Sequence, residues 1–285
     1  MSSSSYKKFL VTGGAGFIGS HLVEELLERG HQIKVLDNFV TGKIENLQNL
    51  GQGRFVPEKD FEIIKGDITD YETVLKASAG IDGIFHEAAL GSVPRSVADP
   101  LTTQEVNANG TLNVFWAALK NGVPRVVFAS SSSVYGSSVT LPKKEGSEGM
   151  PLSPYALTKM INEEHGKLFK HLYGLNTVGL RYFNVFGPRQ DPNSEYAAVM
   201  PRFVTRLLSG VSPVIYGTGL QSRDFTFVKD VVKANLISME ASPDVCGVSY
   251  NIGKGDQINL LELLDNLKDL LGTSIAPVFE PARAG

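Results

Sequence analysis

The sequence predicts an α/β protein: a Rossmann-type doubly wound parallel sheet followed by a smaller C-terminal α/β substrate lobe. Short β-rich runs alternate with helical patterns through the first two thirds of the chain. A glycine-rich turn joins the first run to the first helix. After about Asn184 the density of Pro, Gly, Asn and Asp rises and the alternation loosens.

Lys7 to Thr12 reads as the first strand. Leu22, Val23, Leu26 and Leu27 then fall at helical spacing within Ser20 to Arg29, and Gly30 stops that helix. Gln32 to Asp37, Phe61 to Lys65 and Gly83 to His86 supply further strands. A helix from Thr102 to Lys120, a strand from Arg125 to Ser130, a helix from Pro154 to about Tyr173 and a strand from Thr177 to Phe183 continue the repeat. Ser153 suits the N-cap of the last helix, Pro154 its first turn and Gly174 its stop. Repeated βα units imply a parallel sheet covered by helices. Residues 1–183 are therefore expected to form the dinucleotide-binding domain and 184–285 the smaller lobe. The lobe would hold helices at Ala197 to Ser209, Val231 to Glu240 and Leu260 to Leu271, and strands at Val214 to Tyr216 and Ser249 to Ile252, with room for some of them to return to the first sheet.

A net charge of −3 and an isoelectric point near 6.0 offer no basic stripe, so neither nucleic acid nor an anionic membrane is an expected partner. No apolar run is long enough to span a bilayer, and the polar Met1 to Lys8 lacks the core of a signal peptide. Cys246 is the only cysteine; it is read as packing, and a chain without disulfides suits the cytoplasm. His21, His31, His165 and His171 show no metal-ligand grouping, so no metal is expected, and His86 at a strand end reads as packed. Trp116 is most simply core, and Glu163 and Glu164 read as a solvated helix face.

Gly13, Gly16 and Gly19 make a GxxGxxG loop between strand and helix. Bare backbone there lets the helix N-terminus approach a pyrophosphate, although a tight turn alone would also require glycine. Asp37 closes the next strand, where a carboxylate accepts from both ribose hydroxyls and repels a 2′-phosphate; a strand-end turn is its other reading. Together they favour NAD. Tyr155 and Lys159, at i and i+4, share one face of a helix. They follow Ser130-Ser131-Ser132-Ser133, which ends a buried-type strand at the sheet edge where open α/β folds place ligands; a serine-rich turn capping the strand is the alternative.

Glycine loop, serine and Tyr-x-x-x-Lys, in that order, resemble the extended short-chain dehydrogenase/reductase family over essentially the whole chain. Ser131-Ser132-Ser133-Val134-Tyr135-Gly136, Leu180-Arg181-Tyr182-Phe183-Asn184-Val185-Phe186-Gly187 and Ser222-Arg223-Asp224-Phe225 are similar to the UDP-glucose and UDP-N-acetylglucosamine 4-epimerases. Related 4,6-dehydratases carry a carboxylic pair where this chain has Ser131 to Ser133. The resemblance implies transient oxidation at sugar carbon 4, with Tyr155 as base, Ser131 bonded to the 4-oxygen and Lys159 assisting. Making a tyrosine of pKa near 10 a base at pH 7 requires about three units, roughly 4 kcal/mol of phenolate stabilisation. Lys159 and the cationic oxidised nicotinamide are expected to supply it.

By the same resemblance, cofactor contacts fall on Gly13, Gly16, Phe17, Ile18, Gly19, Asp37, Asn38, Asp67, Ile68, Ala88, Ala89, Asn107, Tyr155, Lys159 and Tyr182. Asp67 also reads as a helix N-cap. The nucleotide-sugar diphosphate matches Asn184, Arg223 and Arg283, with Tyr216 against the uracil and Ser132 and Ser133 lining the pocket; an ion pair with Asp224 is the other reading of Arg223. Gly91, Ser92, Gln190 and Ala198 resemble positions in epimerases that accept N-acetylated sugars, or are ordinary loop chemistry. The family also implies a homodimer through the helices near Thr102 to Lys120 and Pro154 to Tyr173. Chains of this type continue past Gly285, so a truncated C-terminus is expected. The position that helps set the room for an N-acetyl group would lie beyond it, and glucose against N-acetylglucosamine stays open. Other readings are a decarboxylase, dehydratase or reductase of the same family, or a non-catalytic NAD sensor, which would be expected to lose Tyr155 or Lys159; both are present.

Overall fold

The structure, a computed structural model, describes residues 7–192 and 199–281. Its elements run β1 (Lys8–Thr12), α1 (Phe17–Glu28), β2 (Gln32–Asp37), α2 (Ile44–Gln48), β3 (Glu62–Lys65), α3 (Tyr71–Ala77) and β4 (Gly83–His86). They continue with α4 (Val93–Ala98), α5 (Pro100–Gln104), α6 (Gly110–Lys120), β5 (Arg125–Ser131), α7 (Pro154–Tyr173) and β6 (Asn176–Tyr182). Then follow β7 (Val185–Phe186), α8 (Val199–Leu208), β8 (Val214–Tyr216), β9 (Ser222–Arg223), β10 (Thr226–Phe227) and α9 (Val228–Glu240). The last elements are β11 (Val248–Ile252), β12 (Ile258–Asn259), α10 (Leu260–Leu271) and β13 (Val278–Glu280).

The chain divides into two compact units, residues 1–182 with 228–252 and residues 183–227 with 253–285. In the first, seven strands lie in the order β11-β6-β5-β4-β1-β2-β3, all parallel. Strand β1 pairs with both β2 and β4, so the order reverses there, and ligands of open α/β sheets bind outside the carboxyl ends at such a point. The strands are almost continuously apolar because helices cover both faces, and Leu10, Leu36, Ile84, Val126 and Phe128 join Val114, Phe115 and Phe169 of the helices in one core.

Two strong signals set the ends of α7. The Ser153 hydroxyl accepts from Ala156 N, and Gly174 closes the helix in the left-handed conformation at φ 73°. The segment 228–252 belongs to the first unit, away from its neighbours in sequence, for a polar reason as well as an apolar one. Buried Arg125 donates from one nitrogen to the carbonyls of Ser238, Met239 and Ala241 at the end of α9, and β11 adds an edge to β6.

In the second unit β7 pairs with β10, β9 with β12 and β8 with β13, around a core of Phe203, Leu207, Ile215, Leu260, Leu263 and Leu264. No helix among the described residues is long and apolar enough to cross a membrane. No group of His, Cys, Asp and Glu among them is arranged to hold a metal ion.

His86 is clamped at the end of β4 between Thr12 Oγ1 (2.7 Å) and Thr111 Oγ1 (2.8 Å). Burial, with Lys159 nearby, lowers its pKa to about 3. Folded His86 therefore stays neutral while the unfolded residue takes a proton below about pH 6.5, so its contribution is present above that pH and declines as pH falls toward 3. Stability should drop by about 2 kcal/mol between pH 7 and 5 on this account, read as urea midpoints, and His86→Gln should flatten the slope.

Candidate active site

Gly13 takes a positive φ of 68°, and a Cβ there would stand 2.6 Å from Ala88 N; a Cβ on Gly19 would run into the Gly13 carbonyl. Packing of the chain on itself thus demands these two glycines. Gly16 is different: a Cβ would meet only Gly13 O, at 3.1 Å, and no side chain caps α1 behind it. Gly13, Gly16, Phe17 and Ile18 are half-exposed, so bare amides at a helix N-terminus face outward at the sheet's switch point, while Gly19 is buried. That donor set fits a pyrophosphate.

Asp37 is buried at the end of β2 and accepts from Ala15 N (2.9 Å) and Phe39 N (2.8 Å). Each carboxylate oxygen keeps a further lone pair, so Asp37 both holds the glycine loop and retains acceptors for a ribose. Burial raises its pKa, against those two amide bonds. Asn38 donates to Asp67 at 2.6 Å, and the other Asp67 oxygen accepts from Thr69. The N-cap of α3 is Asp70 rather than Asp67, since Asp70 accepts from Glu72 N and Asp67 is spent on the turn before it. Ile68 is buried in the core against Gly110. Asn107, fully buried in a π-helical turn at Glu105–Asn109, exchanges hydrogen bonds with Leu90 N (2.8 Å) and Leu90 O (3.2 Å). It pins the strand-end turn carrying Ala88 and Ala89.

Ser131, at the end of β5, accepts from Ser133 N and caps the short turn Ser132–Tyr135. Ser133 Oγ is buried without a hydrogen-bond partner. Tyr155 stands in the first turn of α7 and Lys159 one turn on, with the ammonium 5.8 Å from the Tyr155 ring centre. Lys159 is 3% exposed and donates to Ala129 O at 2.9 Å. Burial lowers its pKa to about 8, against Glu87 and Glu163. In the protein alone the Tyr155 pKa is raised, because burial outweighs its contact with the Ser131 hydroxyl. The chain brings the three residues together; the expected phenolate stabilisation combined Lys159 with the oxidised nicotinamide, and in the protein alone burial leaves the phenol raised.

The supports of this cluster escape periodicity. Glu163 is not on a solvated face: Arg181 of β6 binds both its oxygens, at 2.9 and 2.7 Å, and Ser130 donates to it at 2.5 Å. A buried guanidinium must be paired, and Arg181 also bonds Glu148 and the Tyr135 hydroxyl. Glu164, by contrast, is exposed beside Lys167. Tyr182 spends its hydroxyl on Glu87 at 2.8 Å. Trp116 is half-buried and meets Phe169 and Tyr173 edge-on.

The second unit holds two clefts that share Val199, Gln221 and Leu260. One, of about 260 Å³, is lined by Asn184, Arg223 and Phe186; the other, of about 480 Å³, by Tyr216, Arg202 and Arg206. Arg223 is not paired with Asp224, whose carboxylate accepts from Lys254 N and Gly255 N. Asn184 donates to Asp224 O and Gln190 to Val185 O. Arg202 and Arg206 carried no motif; only the packing of α8 brings them to Tyr216. In the first unit, Ser92 caps α4 and a Cβ on Gly91 would meet open space. Ala198 and Arg283 lie outside the described residues.

The model of the NAD dependent epimerase/dehydratase family matches residues 9–253. The chain belongs to that family. It is 40% identical to the UDP-glucose 4-epimerase of Mycolicibacterium smegmatis, over 97% of this chain and 86% of the relative. It is 37% identical to the UDP-N-acetyl-alpha-D-glucosaminuronate decarboxylase of Bacillus cytotoxicus, over 96% and 84%. Its fold matches the UDP-N-acetylglucosamine 4-epimerase from Methanobrevibacter ruminantium M1 in complex with UDP-N-acetylmuramic acid, with a TM-score of 0.92 at 42% identity over 99% and 87% of the two chains. It likewise matches the UDP-glucose 4-epimerase of Thermus thermophilus in complex with NAD, with a TM-score of 0.85 at 36% identity over 98% and 88%. NAD is the cofactor, and the bare amides of the glycine loop and the Asp37 carboxylate fit it.

Replacing Arg181 by Met should destabilise the protein by about 3–5 kcal/mol in urea unfolding, because Glu163 and Glu148 would be left without their cation.

Proposed function

We propose that the chain is an NAD-dependent 4-epimerase of UDP-sugars, interconverting UDP-glucose and UDP-galactose, their N-acetylated counterparts, or both. The observation that carries this reading is the grouping of Ser131, Tyr155 and Lys159 at the carboxyl edge of the sheet, with serine and no carboxylate at 131–133. Elimination of water from a sugar needs an acid and a base at those positions; reversible oxidation of a hydroxyl needs one base and a hydrogen-bond partner for the oxygen. Similarity to two 4-epimerases of UDP-sugars supports it.

NAD, when bound, supplies the reversible two-electron oxidation at sugar carbon 4. Tyr155 takes and returns the proton of the 4-hydroxyl, and Ser131 holds the oxygen beside it. Tyr155 starts from a raised pKa with Lys159 already beside it, so forming the base calls for further positive charge, which the oxidised nicotinamide would supply. Asp37 takes the adenosine ribose, and the Asn38–Asp67 pair, fixed by Thr69, presents acceptors to the adenine side. Asn107 acts through the turn at Ala88 and Ala89. In the second unit, Arg223 and Asn184 suit a diphosphate and Tyr216 a pyrimidine ring, with Arg202 and Arg206 adding positive charge.

Purified protein incubated with UDP-galactose and UDP-N-acetylgalactosamine, without added reductant, should form the epimer of at least one, resolved by chromatography. NAD-loaded protein that converts neither sinks the reading. Tyr155→Phe should lower turnover about 10²–10⁴-fold with NAD retention unchanged.

A second copy of the chain is the proposed partner. Leu157, Leu168, Leu172 and Tyr173 of α7 and Leu112 of α6 are exposed apolar side chains on helices of the first unit. Sedimentation velocity should give a dimer, and Leu168→Glu with Leu172→Glu should give a folded monomer.

A further inference from the structure

Glu87, one residue beyond β4, turns its side chain onto the neighbouring strand but one, where Tyr182 Oη donates to Glu87 Oε1 at 2.8 Å. Tyr182 Oη in turn accepts from Asn235 Nδ2 at 2.8 Å. Asn235 is fully buried on α9 and anchors the same amide nitrogen on Val231 O at 3.0 Å. The end of β4, β6 and the returning helix α9 thus combine to fix one carboxylate.

To reach Tyr182 of β6 from the end of β4, Glu87 spans the intervening strand β5, and β5 is the strand that holds Lys159, through Ala129 O. Two carboxylates favour the Lys159 ammonium against the cost of burial, Glu87 from the end of β4 and Glu163 from α7 itself. They are not equivalent. Glu163 is gripped through both oxygens by Arg181, which offsets part of its charge while also meeting Glu148. Glu87 has a tyrosine hydroxyl as its donor and acts on Lys159 through space, since the ammonium's own hydrogen bond goes to Ala129 O. The remaining titratable neighbours are neutral near pH 7: His86 is held unprotonated between Thr12 and Thr111, and burial raises the Tyr155 and Tyr182 phenols. Burial also raises the Glu87 pKa to about 7, against the Tyr182 bond and Lys159.

We propose that Glu87 is a positioning residue that keeps Lys159 in its ammonium form and so sets the alkaline limit of the pH range in which Tyr155 works, with Tyr182 and Asn235 holding the carboxylate in place. The kinetic half of this inference rests on the epimerase reading; the electrostatic half does not. Glutamine at position 87 still accepts from Tyr182 and removes only the charge. Burial of Lys159 is then opposed by a carbonyl and a partly compensated carboxylate, and the proton leaves at lower pH.

The test is titration of Lys159 by NMR in NAD-loaded protein carrying ¹³Cε-lysine, with the resonance assigned by its loss in Lys159→Arg. Glu87→Gln should lower the Lys159 midpoint by about one unit, Glu87→Asp should restore most of it, and the alkaline limb of the kcat profile should fall in step. A midpoint that stays at the wild-type value in folded Glu87→Gln protein overturns the inference, whatever happens to melting temperature or turnover. If that variant does not fold, Tyr182→Phe carries the same test: with its hydroxyl donor gone the carboxylate protonates at higher pH, so a lowered Lys159 midpoint supports the inference and an unchanged one overturns it. Wild-type protein that converts no UDP-sugar still allows the lysine to be titrated, and overturns the epimerase reading instead.

Discussion

A guanidinium taken out of water must be met by negative charge, and the first unit is organised around meeting that need at Arg181. Its side chain leaves β6 and is bonded by Glu163 of α7, by Glu148 in the connection between β5 and α7, and by the Tyr135 hydroxyl. Tyr135 donates onward to Asn251 of β11, and Glu145 accepts from the Asn251 amide. One cation therefore ties two strands, a helix and a long connection. The pairing bears on chemistry because Glu163 lies one turn beyond Lys159 and also binds Ser130, the neighbour of Ser131. The groups proposed to react, Tyr155 and Ser131, thus stand beside an ion-pair network formed by the protein alone.

Desolvation is the second organising effect, and its sign differs from group to group. It pushes the Tyr155 phenol up and the Lys159 ammonium down, each toward its neutral form. A buried tyrosine and lysine are thus poised to respond strongly to a charge arriving beside them, because low polarity magnifies every added interaction. Burial holds the Tyr155 phenol above its ordinary range even with Lys159 in place. The same logic places weight on the two carboxylates that act on Lys159, of which Glu163 is paired with a guanidinium and Glu87 with a tyrosine hydroxyl.

The segment 228–252 returns the chain to the sheet it left after β6. The chain leaves the first unit after β6, builds its clefts, and returns with α9 and β11 to bury Asn235 and cover the edge of β6. Arg125, donating to three carbonyls at the end of α9, replaces the water those groups would otherwise require. The second unit then needs only a small core between α8 and α10, and its short strand pairs frame the clefts lined by Asn184, Arg223 and Tyr216.

The sequence by itself determined the features governed by local rules. Alternation and capping placed α7 from Pro154 to Tyr173, the strands of the parallel sheet, and the glycine loop with Asp37 beyond it, because helical period, N-caps and left-handed stops act over a few residues. Spacing also put Tyr155 and Lys159 on one face, and a run of hydroxyls marked Ser131. Only the tertiary structure decided which polar residues support them. Glu163, read as a solvated face, became the partner of a buried arginine from another strand; Asp67, which suited an N-cap, was spent on Asn38 and Thr69; Arg223 parted from Asp224. Glu87, Arg202 and Arg206 gave no signal in the sequence at all. Pairing of a buried charge is settled between residues distant along the chain, by which groups folding has removed from water together, and no local pattern records that.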